Sequence, residues 1–276
     1  MAHGKTMRIV SDNAADRATI TVANTAAGAG AENLKTDIKG QACRVLAGTA
    51  QIVLTWPQAT SVGAIVLPAS SLGPSSKIRV QVFQDEAGAI LQEDTGEKWA
   101  APGAILANWS FTQPLNVNQF AFSLPPTTAV YLSQHSAARR VVITLSDPGA
   151  TFIDIARLVV GPYLSPLYNP SYGQTDGIVD LSTNSRAASG DLKTDFGPKA
   201  KSLTFSLDFI ENADRALVRQ VLEMGVGRFL FVSLVPESSD PVLERDKSIY
   251  GKLTQPQGMR WASFAQHAAE FNIEGF

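Results

Sequence analysis

The sequence predicts a mainly β protein in two parts, a β-sandwich followed by a smaller α+β unit. Three observations carry this reading. The 276 residues suit two domains at roughly 150 residues each. Residues 8–163 hold many short apolar or alternating runs punctuated by Gly, Pro, Asn and Asp, with no long helical stripe. Residues 161–170 then carry Pro162, Pro166 and Pro170, each lacking a donor and pushing its predecessor towards extended geometry. The expected boundary separates residues 1–165 from residues 166–276.

The clearest strand in the first part is residues 77–83, where Ile78, Val80 and Val82 alternate with Arg79 and Gln81. Residues 51–56 and 62–67 read as two strands joined by a turn at Pro57-Gln58-Ala59-Thr60. Residues 119–124, 139–145 and 152–160 complete the set. Strands at this spacing predict two packed sheets of the jelly-roll type. Cys43, the single cysteine, is flanked by Ala42, Val45 and Leu46 and reads as a small apolar residue on a buried strand.

In the second part, residues 178–182 form a strand before a polar loop. Residues 203–209 follow, with Leu203, Phe205, Leu207 and Phe209 on one face and Thr204, Ser206 and Asp208 on the other. Asn212-Ala-Asp214 offers caps to a helix over 213–224, whose apolar stripe is Leu217, Val218, Val221 and Leu222, and Gly225 ends it. Residues 228–234 resume sheet, residues 236–245 read as loop, and residues 249–253 and 271–276 close the unit.

Charged residues make up 17% of the chain, below the usual ~25%. Residues 1–165 hold 12 basic and 11 acidic side chains and residues 166–276 hold 11 and 14, giving +1 and −3. That balance excludes a binder that works by neutralising phosphates. No run approaches the ~18 apolar residues of a membrane helix, and the opening residues lack a signal-peptide core, so the expected site of synthesis is the cytoplasm.

Chemistry is sparse in the pattern. His3, His135 and His267 are isolated, with His135 read in a Ser/Ala-rich loop, and no Gly-x-Ser-x-Gly is present. Gly225-Val-Gly227 precedes a strand rather than a helix, the reverse of a phosphate cradle. Asp85-Glu86 and Glu93-Asp94 flank Gly88 and read as a solvated hairpin, with a weak calcium site as the sharper alternative. No catalytic residue, cofactor site or metal site is expected. Trp99 and Trp109 are the candidate ligand-binding residues, since a loop tryptophan can stack on a sugar ring.

The cues at Ala31-Glu-Asn-Leu34, Trp56, residues 139–145 and residues 153–161 resemble the galactose-binding-like, discoidin-type jelly roll. The second part resembles the tail-tube fold in its order: strand 203–209, helix 213–224, strand 228–234, then Ile249-Tyr-Gly-Lys-Leu253. Distal tail proteins and baseplate hubs of long-tailed bacteriophages combine such parts, in the opposite order. The resemblance implies a non-enzymatic virion subunit at the tail tip, made in the host bacterial cytoplasm. It implies a homo-oligomeric ring, a hexamer, around a channel that DNA and tape-measure protein traverse without specific binding. Tube and tip-hub proteins would be neighbours. Leu203, Phe205, Leu207, Phe209, Phe229 and Phe231 would line the assembly strands, joined edge to edge. Two alternatives stand beside it: a carbohydrate-binding module that adsorbs to a cell-surface glycan, and a hydrolase with scattered catalytic residues.

Overall fold

A computed structural model describes residues 6–73, 75–100, 127–238, 241–255, 258–263 and 266–275. The candidate residue Trp109 and the strand expected at 119–124 lie outside the described residues. The chain divides into two compact units, Val10–Tyr163 and Met1–Ile9 with Leu164–Phe276. The fold is mainly β, with its sheets built from antiparallel pairs.

The chain opens with β1 (Arg8–Val10). The Val10–Tyr163 unit then contains β2 (Thr19–Val22), β3 (Cys43–Val45), β4 (Thr49–Leu67), β5 (Lys77–Phe83), β6 (Leu91–Asp94), β7 (Lys98–Trp99), β8 (Thr128–Ser146), β9 (Ile153–Ile155) and β10 (Val159–Gly161). Its main sheet runs β10-β4-β8-β5-β6, with β2 added to β4 and β7 to β5; β3 and β9 form a second, two-stranded sheet. The alternation of β5 survives intact, with Ile78, Val80 and Val82 buried. They join Ile52, Leu54, Val141, Ile143 and Leu145 of the main sheet in one core. Cys43, Val45, Ile153 and Ile155 of the small sheet close that core. Two sheets around one apolar centre make a sandwich.

Two expectations in this unit change. No turn separates residues 51–56 from 62–67: β4 is continuous, and the Pro57 region is a bulge where register with β8 shifts between Thr55 and Thr60. A bulge tolerates a residue without a donor. His135 lies inside β8 rather than in a loop, packed edge-on against Tyr163 with centroids 4.4 Å apart.

The second unit holds β11 (Thr175–Asp180), β12 (Thr183–Arg186), β13 (Leu192–Asp195), β14 (Lys199–Glu211), α1 (Asn212–Glu223), β15 (Phe229–Ser233), α2 (Pro241–Asp246), β16 (Ser248–Leu253), β17 (Met259–Ser263) and β18 (Gln266–Gly275). Its sheet runs β1-β15-β16-β18-β14-β11, with β17 beside β18. Val218, Val221 and Leu222 of α1 pack into the core formed by Leu203, Phe205, Leu207, Leu230 and Phe271. Phe205 lies directly across from Phe271, and the rings stack at 4.9 Å.

Several details depart from expectation. The first residues join this unit, not the sandwich, and Met7 and Ile9 are buried in its core. A second helix, α2, occupies part of the segment read as loop. Glu211, not the Asn212-Asp214 stretch, sits at the N-cap and makes no side-chain cap bond. Asn212 Oδ1 instead lies 3.2 Å from His267 Nε2, and Asp214 accepts from the Leu167 N–H at 2.9 Å. Gly225 follows the helix at φ +61°, a conformation that suits glycine. Leu217 of the expected stripe is exposed.

Candidate ligand-binding site

The site begins with the two shortest strands of the sandwich. In β3, Cys43 and Val45 are buried in the core and Arg44 between them is exposed; in β9, Ile153 and Ile155 are buried and Asp154 is not. A period of two dictates this once the flanking apolar residues are buried. The antiparallel register sets Arg44 opposite Asp154. Arg44 donates from Nε to Asp154 Oδ1 at 2.8 Å and from Nη2 to Oδ2 at 2.7 Å, matching a planar fork to a carboxylate. The hydrogen bond to Asp154 raises the Arg44 pKa above its ordinary value. Phe152, 41% exposed, lies beside the pair with its ring centroid 4.5 Å from Arg44 Cζ.

Main chain flanks the small sheet on both sides. The Ala26 N–H donates to Arg44 O at 2.9 Å, and the Arg44 N–H donates to Ala29 O at 3.0 Å. Across β9, the Asp154 N–H donates to Ser71 Oγ at 2.8 Å and the Ser71 N–H donates to Asp154 O at 2.9 Å. These segments, with Lys39 and Gly40, enclose a pocket of about 580 Å³. That volume falls within the usual ~300–1,000 Å³ of ligand sites. Alanines line much of it, among them Ala26, Ala29, Ala42, Ala69 and Ala156. Their methyl groups leave open the space that longer side chains would fill.

A buried arginine braces the neighbouring chain. Arg157 Nη1 and Nη2 donate to Asp16 at 2.7 and 2.9 Å, Nε lies 3.0 Å from Asp37 Oδ1, and Nη1 also reaches Leu34 O at 3.2 Å. Asp37 of this cluster stands two residues before Lys39 of the pocket lining. Burial holds the Lys39 pKa below its ordinary value. Burial, aided by Asp154, pushes the Cys43 thiol up to about 11. Cys43 is therefore a protonated core residue and not a thiolate nucleophile.

The residues singled out from sequence fall elsewhere. Trp99 pairs with Lys77 across β7 and β5, is 60% exposed, and has Lys77 Nζ 5.8 Å from its ring centroid. It does not line the pocket. Trp56 is buried and donates from Nε1 to Ala14 O at 2.9 Å. Leu203, Phe205, Leu207 and Phe231 are buried, Phe229 stacks on Tyr250 at 5.0 Å, and Phe209 is exposed. β14 already has β18 and β11 on its two sides, and β15 has β1 and β16. β11 covers β14 only over Lys199–Thr204, and the outer strands of this sheet are β1, β11 and β17. Among the described residues, no group of three or more His, Cys, Asp or Glu side chains could hold a metal ion.

Sequence reasoning missed Arg44 and Asp154. Their signal was present as Cys43-Arg44-Val45 and Ile153-Asp154-Ile155, two apolar-charged-apolar triplets of opposite sign. Such triplets are short, and their pairing spans more than a hundred residues.

No protein-family model matches the chain, and no curated protein matches it. Solved structures give low-scoring likenesses. A Ruminococcus gnavus GH29 fucosidase in complex with fucose is 13% identical, with a TM-score of 0.39 over 55% of this chain and 27% of that one. The chain thus spans about a quarter of that enzyme's length. A Streptococcus pneumoniae fucose binding module is 10% identical, with a TM-score of 0.37 over 55% and 95%. The family 32 carbohydrate-binding module from C. perfringens NanJ, in complex with galactose, is 13% identical, with a TM-score of 0.38 over 56% and 99%. At such identities the sandwich assignment rests on the strand pairing and shared core, not on these likenesses.

Proposed function

We propose that the Val10–Tyr163 unit binds carbohydrate without transforming it. The observation that carries this is the Arg44–Asp154 pair set in an open, alanine-lined pocket. A sugar ring offers vicinal hydroxyls, each both donor and acceptor, and an apolar C–H face. Asp154 supplies acceptors. The Nη1 group of Arg44 makes no hydrogen bond among the described residues and supplies donors, while the alanine methyl groups supply an apolar surface for the C–H face. Among the described residues Asp154 is the one carboxylate in the pocket lining, and glycoside hydrolysis commonly uses two.

A glycan array probed with the full chain should give a defined set of positives. Arg44→Ala and Asp154→Asn should each weaken the best of them by about tenfold or more, the usual worth of a charged hydrogen bond. Positives that survive both substitutions at full strength would refute the assignment.

A second reading makes the chain a structural subunit of a phage tail tip or baseplate, closed into a ring. The β12–β13 hairpin favours it. Every residue of both strands is exposed, and Leu181, Leu192 and Phe196 beside or within it are exposed as well, Phe196 at 87%. A lone two-stranded hairpin is marginal in water, and a second copy of the chain would cover its apolar groups. Sedimentation over a concentration series should show self-association that Leu192→Asp with Phe196→Asp abolishes. A monomer at every concentration would count against this reading.

A further inference from the structure

We propose that the pocket takes a glycan bearing a carboxylate, a uronic or sialic type of sugar, held by Lys39 and the open Nη1 edge of Arg44. This rests on the carbohydrate reading and adds the class of ligand. Two cations, Lys39 and Arg44, line the pocket against the single carboxylate Asp154. Asp154 occupies only the Nε–Nη2 edge of Arg44, which leaves two N–H donors on Nη1 for another acceptor. Among the described residues the remaining lining is Ala, Gly and Ser, none of which opposes an added negative charge. The alanine methyl groups and Asp154 then remain for the ring face and hydroxyls, as a neutral sugar would use them.

The test compares glycans that differ only in the acid. Calorimetry with the full chain would use trigalacturonate against its methyl ester, and sialyllactose against lactose. In at least one pair the acid should bind about tenfold tighter or more, the size of one charge-assisted hydrogen bond. Lys39→Gln should bring the two members of that pair to within about twofold of each other while keeping the neutral one, and Lys39→Arg should restore the preference, since both side chains carry the charge. An unchanged melting temperature would show that both variants fold. Equal binding of acid and neutral members by the natural chain would overturn this inference and leave the carbohydrate reading standing. Acid preference that survives Lys39→Gln would overturn the role of Lys39. Binding of no glycan, acid or neutral, would overturn the carbohydrate reading itself and this inference with it.

Discussion

Arg157 places a cation at a position where its side chain is only 3% exposed, facing two carboxylates that are each more than 40% exposed. The asymmetry predicts which substitution does harm. Arg157→Met removes the buried charge and leaves Asp16 and Asp37 to water, so it should cost about 1–2 kcal/mol, below the ~3–5 kcal/mol of a broken buried pair. Asp16→Asn with Asp37→Asn strands the buried cation and should approach that larger figure. Urea denaturation of the sandwich unit would rank the two, and the reverse order would show that the arginine is better hydrated than its burial implies. In the other unit, Lys201 donates to Ser248 O at 2.7 Å and also to Arg245 O. Burial lowers its pKa from 10.5 to about 8. Below pH 8 both folded and unfolded chains hold the proton and the penalty is constant. Between pH 8 and 10.5 the unfolded chain binds more protons, so stability rises with pH. Lys201→Met should flatten that rise in a pH series of denaturation curves. Neither the Arg157 cluster nor the Lys201 contacts were legible in sequence, because each joins groups far apart in the chain and charge alone does not reveal burial.

At the scale of elements, the sequence pattern carried far where one period ran unbroken. β5 matched its alternation residue for residue, and α1 lies within a residue of the predicted helix at both ends. The pattern failed where the period slips. Residues 203–209 alternate on paper through Phe209, yet Phe209 is 53% exposed and Ile210 takes the buried place at 1%. The cause is a register shift against β18 between Leu207 and Ile210. An extra residue in one strand reverses the facing of everything after it. Ile210→Ala should therefore cost about 2–5 kcal/mol as a core truncation. Phe209→Ala should stay within about 0.5 kcal/mol, as surface changes do. Equal costs would mean that the bulge is absent in solution. The pocket beside β3 and β9 was missed for a related reason. β3 and β9 are three residues each, too short for a period to show, and only their pairing places Arg44 against Asp154.

At the scale of the whole molecule, the units part between Tyr163 and Leu164, within the stretch that holds Pro162 and Pro166, and the membership of the first residues left no sign in the sequence. Thr6-Met7-Arg8-Ile9 is a short run with no turn signal to say which sheet it joins. It joins the later unit: the Met7 N–H donates to Asn169 Oδ1 at 2.8 Å, and Ile9 and Leu164 exchange main-chain bonds at 2.9 and 2.7 Å. Arg8 Nη1 lies 2.8 Å from Glu237 Oε2. Cutting the chain at the boundary read from sequence would thus strip an edge strand and two buried side chains from the second core. A fragment of residues 164–276 should be markedly less stable than the same unit in the full chain, and a peptide of residues 1–10 added in trans should recover part of the loss. In the full chain, Met7→Ala and Ile9→Ala should each cost about 2–5 kcal/mol. That loss should fall on the unfolding of the second unit, because both residues pack with Leu203, Phe205 and Phe271. Val10–Tyr163 has its own core and should keep its stability in both variants. Hydrogen exchange resolved by segment would decide between the outcomes. Protection lost over 203–210 and retained over 52–67 assigns the first strand to the second unit in solution, whereas loss confined to 52–67 would return it to the sandwich.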